Sequence, residues 1–414
     1  MNKNTALRIL FTANGISSFA QGISMLAIPW YFATNTSYFN TAYGLITIAV
    51  LFFGLYAGTL VDKYSRKTNF MGNSLVCGVL LLIIALIGFW QGYLQDFLIV
   101  AVFAITMLNY NIHYPTLYAF GQEISDAKNY SKVNANIEVV GQSMSILSGG
   151  IAAIMLEGFT IQLPFSTFSL SFQRWNIWEI FLLNAITYFL AAIFISFIKY
   201  TPQKLHVKHE PILIRLKQGF SYLKNNTNVL WFGLLSYSVF AMVLVEIHAV
   251  LPAYINNHLH AKGNTFAIAD GVYAVGALAA GLWINKIFDS NKTERAVIIL
   301  TVLSGFIFLW AFLGSKVWII YTVCVLFGFS NAGIRVLRLT YLFHHIPNEL
   351  MGRVNSVFNM CNIILRSLFI FLFSSSFFAV SNQIIWAYLI MALFLFISAT
   401  GLFINQKKST KRYE

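Results

Sequence analysis

Arg335, Arg366, Glu246 and the imidazole of His113 stand inside otherwise apolar runs of this chain. A charge in hydrocarbon persists only where it faces a partner or a wet cavity, so each is a candidate for binding or proton transfer. Arg335 and Arg366 suit the holding of an anionic or polar group, and Glu246 suits the carrying of a proton. Glu246 also lies about 19 residues into its run, so plain exposure to outer water competes with that role. Polar neighbours recur at helical spacing. Asn109, His113 and Thr116 stand at i, i+4 and i+7, and 222 residues later Asn331, Arg335 and Arg338 repeat the pattern. Arg338 is near enough to the polar boundary to snorkel, which leaves Arg335 as the stronger expectation. A further stripe holds Asn355, Asn359, Asn362 and Arg366, and its counterpart holds Asn134, Glu138, Gly141 and Ser145. The first run adds Asn14, Ser18, Gln21 and Met25. In lipid, such a stripe marks a face turned to a cavity or to another helix. Asn14, Gln21, Asn109, His113, Asn331, Arg335, Asn362 and Arg366 are therefore expected at a substrate cavity, with helix packing open as the alternative for the amides, for His113 and for Arg366. Glu246 and Glu138 are expected at proton coupling.

Other chemistry finds no footing in the sequence. Cys77, Cys324 and Cys361 all fall within apolar runs without metal-ligand spacing, and no nucleophile–base pair or glycine-rich phosphate loop is present. The expectation is no metal, no cofactor and no enzymatic reaction.

The elements that position these residues follow from composition. Apolar residues make up 58% of the chain and charged residues 10%. Soluble domains hold about 25% charged residues, so this chain belongs in a bilayer. Twelve runs long enough to span it are expected near 8–33, 42–61, 70–92, 97–121, 132–156, 178–199, 228–255, 265–286, 295–313, 317–342, 354–377 and 382–404. The runs form two copies of one unit. Pro29 and Gly58 are answered by Pro252 and Gly281 at an offset of 223, and Lys132-Val133-Asn134 by Arg353-Val354-Asn355 at 221. The expected class is all-α, with two pseudo-symmetric six-helix bundles over 1–200 and 227–414, joined by a cytoplasmic linker at 201–226.

The net charge of +13 is distributed by topology. With the termini and alternate loops on one side, 22 Lys and Arg lie there, against Arg174, Lys262 and Lys316 on the other. That asymmetry puts both termini in the cytoplasm and directs the basic excess at anionic lipid heads rather than nucleic acid. The first run is too long for a cleaved signal and is expected to remain as the first span. Within the linker, residues 212–223 have apolar residues at helical spacing, as in an amphipathic surface helix or a solvated connector. The outer loop over 157–177 is expected as an interfacial segment without a fold of its own.

One string is specific. Gly58-Thr-Leu-Val-Asp62-Lys63-Tyr-Ser65-Arg66-Lys67 resembles the G-x-x-x-D-[RK]-x-G-R-[RK] signature of the major facilitator superfamily, with Ser65 in place of Gly. The second copy keeps Gly281 and Lys286 and has Asn285 for Asp. The resemblance implies secondary transport by alternating access, with these eight residues, Gly58, Asp62, Lys63, Arg66, Lys67, Gly281, Asn285 and Lys286, as a conformational latch. Asp62 would then face the start of the eleventh span, where the helix dipole favours a carboxylate. Ile28-Pro29-Trp30 and Pro347 to Val354 look like the branch of macrolide and siderophore exporters, and Val133 to Glu138 is similar to a stretch of lysophospholipid transporters. Span 4 lacks the embedded Arg of many proton-coupled drug exporters, and Ser148-Gly149-Gly150 replaces the usual Gly-Pro of the antiporter signature. The implied function is export of a small amphipathic compound from a bacterial inner membrane by a monomer, with H+ as coupling ion and membrane lipids as neighbours. An importer of an anionic nutrient and a lysophospholipid flippase are the alternatives.

Overall fold

A computed structural model describes residues 2–35, 38–126, 130–162, 169–199, 212–288, 293–379 and 383–410, with side chains left aside at some helical positions, 55–63 among them. Each expected run carries a helix. The first six are α1 (Lys3–Asn35), α2 (Phe39–Lys63), α3 (Arg66–Gln91), α4 (Asp96–Glu123), α5 (Tyr130–Glu157) and α6 (Ile177–Ser196). The linker helix α7 (Ile212–Asn225) precedes a long rod, Thr227–His258, built from α8 (Thr227–Ser236), α9 (Ser238–Val245) and α10 (Leu251–Ala253). Then come α11 (Gly263–Ile287), α12 (Thr293–Leu313), α13 (Val317–His345), α14 (Asn348–Phe373), the short α15 (Ser376–Ala379) and α16 (Ile385–Thr410). Among the described residues, ten of these rods are long and apolar enough to cross a bilayer. α1 is not one of them, since its buried face carries Asn14, Ser17, Gln21 and Ser24; for α2 the described apolar stretch is Phe39–Gly54.

Local sequence sets the ends of several helices. Ser65, the residue that departs from the family pattern, is the N-cap of α3, and its hydroxyl accepts from the Thr68 backbone N–H at 3.1 Å. The substitution exchanges turn freedom for a capping bond. Gly92 ends α3 at φ +72, the left-handed conformation that glycine adopts without steric penalty. In the long rod, Pro252 supplies no N–H to the preceding turn. The helix widens to π-turns on both sides of it, at Glu246–Val250 and Tyr254–His258.

The outer loop differs from expectation. Phe159–Gln162 (β1) pairs antiparallel with Ser169–Phe172 (β2), with Phe159 opposite Phe172. Alternating Ser and apolar residues favour such a pair, and backbone bonding satisfies a segment that an unstructured interfacial loop would leave to water.

Packing divides the chain into two compact units that trade equivalent segments. One holds Met1–Thr36, Ala49–Val207 and Lys262–Gly271; the other holds Ser37–Ile48, Lys208–Ala261 and Val272–Glu414. The first turns of α2 thus belong to the second unit and the first turns of α11 to the first, and these turns correspond at the repeat offset of 223. In the first unit α3 lies along α6, and α1 lies against α5 and α6. Its core interleaves Ala6, Ala13 and Ala191 with Leu10, Phe70, Leu117, Phe120 and Ile195, as close helix packing in lipid requires. In the second unit α12 packs on α13 and α16, and α7 on α14. Leu223 of α7 is buried, and Tyr222 donates to the His345 carbonyl at 2.6 Å. α11 and α13 cross at backbone contact: a Cβ on Gly276 would run into the Val325 carbonyl, and one on Gly328 into the Tyr273 carbonyl.

Candidate functional site

The polar stripes of α1 and α4 meet inside the first unit. Asn14 Oδ1 lies 3.1 Å from His113 Nε2 and accepts from Ser18 at 3.3 Å. Gln21 donates to Ser17 at 3.1 Å and to the Tyr188 hydroxyl of α6 at 2.8 Å. Asn109 donates to that same hydroxyl at 3.1 Å, while Asn73 of α3 donates to Asn109 Oδ1. A second α6–α1 bond joins Asn184 to Ser24 at 3.0 Å. Asn14, Gln21, Asn109 and His113 are all buried, so in this arrangement their polar groups serve one another. The cause is elementary: hydrocarbon offers no partner, so amides on neighbouring helices find each other. Asn73 and Tyr188 complete the chain, yet neither belonged to a stripe in the sequence. A lone Tyr or Asn in an apolar run has no periodic signal.

At the end of α2 the helix is described through Lys63, while the side chains of Gly58, Asp62 and Lys63 lie outside the described residues. Beyond them, Arg66 and Lys67 bind within the first unit. Arg66 Nε stands 3.4 Å from Glu123 Oε1, with Arg66 buried and Glu123 partly so. Lys67 donates to the carbonyls of Ser196 at 2.7 Å and Ile198 at 2.9 Å, capping the negative end of α6. These two cations therefore tie α3 to α4 and α6. Glu123, at the last residue of α4, is the partner that motif reading did not identify. In the second copy, Gly281 is exposed with nothing within 4 Å of an added Cβ, and Lys286 is exposed. On α11 the close helix approach is made one and a half turns earlier, at Gly276. The Asn285 side chain lies outside the described residues.

In the second unit Arg338 of α13 departs from the snorkelling expected of it. Arg338 is buried: its guanidinium carbon lies 3.6 Å from the Tyr237 ring centroid, and Nη1 donates to the Ser236 carbonyl at 3.1 Å. Such a desolvated cation–π contact stabilises by about 2 kcal/mol, which draws the side chain inward rather than towards the boundary. Arg335 is exposed. Tyr237, at the joint of α8 and α9, also donates to Asn355 at 2.9 Å and accepts through its carbonyl from Asn362 at 3.2 Å. Asn331 donates to the Tyr273 hydroxyl at 2.7 Å.

Arg366 stands one turn beyond Asn362 and is 8% exposed. Its Nε is sealed from water without a hydrogen bond, and no carboxylate pairs with it among the described residues. Tyr43 and His248 lie within its electrostatic reach, with their rings 5.6 Å apart. Tyr43 donates to the Leu244 carbonyl at 3.3 Å, and His248 Nδ1 lies 3.1 Å from the same oxygen, at the mouth of the first π-turn. Glu246 opens that turn. It is 2% exposed, which rules out the alternative of plain contact with outer water, and Tyr388 donates to its Oε1 at 3.3 Å. The Glu138 side chain lies outside the described residues.

Residues 10–370 match the family model described as Major Facilitator Superfamily. The chain belongs to the major facilitator superfamily. It is a multi-pass membrane transporter of that family, acting on a small molecule. Among its relatives is the enterobactin exporter EntS of Shigella flexneri, 24% identical over 385 residues, covering 88% of this chain and 83% of the relative. The EntS of Escherichia coli O157:H7 is 25% identical over the same shares. Solved structures of like fold include the nucleoside transporter NupG, with a TM-score of 0.72 at 12% identity, covering 96% of this chain and 99% of that one. A bacterial homologue of the lysosomal transporter Spinster has a TM-score of 0.71 at 11% identity, covering 99% and 98%. Within this facilitator fold, the stripes of α1 and α4 meet in one network, whereas Asn331, Asn362 and Glu246 bond to three different tyrosines of the second unit, Tyr273, Tyr237 and Tyr388.

Proposed function

We propose that this facilitator exports a small amphipathic compound bearing an anionic or phenolic group, a siderophore of the enterobactin kind being the first candidate, across a bacterial inner membrane. Both termini face the cytoplasm, and two halves, 1–200 and 227–414, alternate in access about the cavity. The single observation that carries the reading is Arg366: a buried guanidinium with no carboxylate partner among the described residues is a receptor for an anion that arrives and leaves. Tyr43 and His248 add polar groups beside it. The network of Asn14, Gln21, Asn109 and His113 holds α1, α4 and α6 in one rigid body, as alternating access needs. Glu246, held by Tyr388, carries the coupling proton, with H+ entering as the compound leaves. Asp62 and Lys63 act with the Arg66 and Lys67 ties as the latch. The relatives' exporter names support the direction of transport.

The test is flux in proteoliposomes with a pH-sensitive dye inside, wild type beside Asp62→Asn. The compounds are a catecholate siderophore, a macrolide and a lysophospholipid, each with and without an imposed proton gradient. Gradient-driven movement of the siderophore, lost in the variant while membrane insertion persists, is the expected result. Gradient-independent flux, or normal flux in Asp62→Asn, sinks the coupling and the latch respectively.

A further inference from the structure

A cavity of about 440 Å³ opens among α2, α3 and α4 of the first unit. Its wall is graded. Tyr64 before α3 and Thr68, Asn69 and Asn73 along it come first, then Val76, Cys77 and Leu80; Phe53 of α2 and Ile105 and Leu108 of α4 complete the apolar part. From Arg66 to Leu80 this is about 21 Å of helix at 1.5 Å per residue, well over half the bilayer's hydrocarbon depth. The cavity opens sideways, since Val76 is 59% and Leu80 41% exposed on the flank of α3. No side chain obstructs it at Gly72, where an added Cβ meets nothing within 4 Å. At its polar part Asn73, a lining residue, donates through its amide nitrogen to Asn109, which in turn donates to Tyr188, so the carbonyl of the Asn73 amide is the group left to accept from a ligand. The described lining contains no charged side chain.

We infer that this cavity binds an amphiphile from the cytoplasmic leaflet, with an uncharged, hydrogen-donating head at Asn69 and Asn73 and one apolar tail along Val76, Leu80 and Phe53. Polar groups at the membrane surface and apolar ones towards the middle reproduce the orientation of an inner-leaflet lipid, given the cytoplasmic placement of the termini proposed above. The volume lies in the range of ligand pockets lined mainly by apolar residues with few polar groups. A monoacylglycerol has the required chemistry: hydroxyl donors for the Asn73 carbonyl and a single chain. The site does not depend on which compound Arg366 binds.

The experiment uses the full-length protein in nanodiscs and a monoacylglycerol bearing a diazirine in its tail, with mass spectrometry locating the labelled residues. Labelling is expected at Val76, Leu80 and Ile105, competed by unlabelled monooleoylglycerol. Gly72→Trp fills the cavity and lowers that labelling by about tenfold, the loss expected for two methylenes no longer buried. Gly72→Ala leaves it unchanged. Asn73→Leu removes the acceptor and lowers competition by monooleoylglycerol but not by methyl oleate, which has the same chain and no hydroxyls. Labelling spread evenly over the lipid face at Leu75, Val79 and Ile83, or unaltered in Gly72→Trp, overturns the site. Stronger competition by an anionic lysophospholipid overturns the uncharged head. Movement of a fluorescent monoacylglycerol between leaflets marks the occupant as cargo, and its absence with labelling intact marks it as a resident lipid; either outcome supports the cavity.

Discussion

Replacing Arg366 by Met should move stability and function in opposite directions. The side chain is a cation with its Nε sealed and unbonded, and it has no described carboxylate beside it. An arginine at the centre of a spanning helix is less favourable than an apolar residue by about 2.5–3.5 kcal/mol. Only Nε is fully sealed, so roughly half of that, about 1–2 kcal/mol, is recovered when Met of similar length takes its place. Thermal unfolding of the empty protein in detergent should then rise by a few degrees, at about 2–4 °C per kcal/mol. Binding falls at the same time. A charge-assisted hydrogen bond contributes about 1.5–3 kcal/mol, so affinity for an anionic siderophore drops by about tenfold to a hundredfold. The ligand-induced rise in unfolding temperature should disappear with it. Arg366→Lys separates charge from shape: it keeps the cation and the instability but loses the planar fork, so binding weakens without the gain in stability. An Arg366→Met protein that unfolds below wild type while holding the anionic compound equally well would refute the reasoning and make Arg366 a structural residue.

Glu246→Gln preserves an acceptor for Tyr388, so the protein should remain folded and move substrate with flux no longer following the pH gradient; dye-reported proton movement coupled as in wild type rules the proton role out. Tyr188→Phe leaves the Asn109 donor without its partner while Gln21 keeps Ser17, which should destabilise by about 1 kcal/mol, readable as a lower midpoint of thermal unfolding in detergent; no change would mean that the donors find other acceptors. Gly276→Leu drives a side chain into the Val325 carbonyl and should destabilise by about 3 kcal/mol or more, whereas Gly281→Leu on the same helix meets open space and should be tolerated; equal yields of folded protein on size-exclusion chromatography would contradict the crossing described for α11 and α13.

Several of these residues were legible before any coordinates. The stripes of α1 and α4 followed from spacing alone, because hydrophobic and polar periodicity along a helix survives whatever the helix packs on. Their meaning did not follow. Whether Asn14 and Gln21 face a cavity or each other depends on the angle at which α1 meets α4 and α6, and no local property encodes that angle. Arg338 of α13 shows the same limit. Depth along the helix let Arg338 snorkel to the boundary, yet it turns inward because Tyr237, about 100 residues earlier, offers its ring. Glu123 and Tyr188 carried no periodic signal at all, being single polar residues whose partners lie on other helices.

The chain's own composition determined the solvent, the spans, the repeat and the family, since each rests on averages or on strings within one segment: apolar length against bilayer thickness, charge bias between loops, a ten-residue motif. Only the tertiary structure decided which polar atoms satisfy one another and which do not. It placed Arg66 on Glu123, Lys67 on the end of α6 and Glu246 under Tyr388, while leaving Arg366 without a counter-charge among the described residues. The reason is physical. In a low-dielectric interior the energy of a charge is set by the few atoms within hydrogen-bond reach, and those atoms come from distant parts of the chain that folding alone brings together.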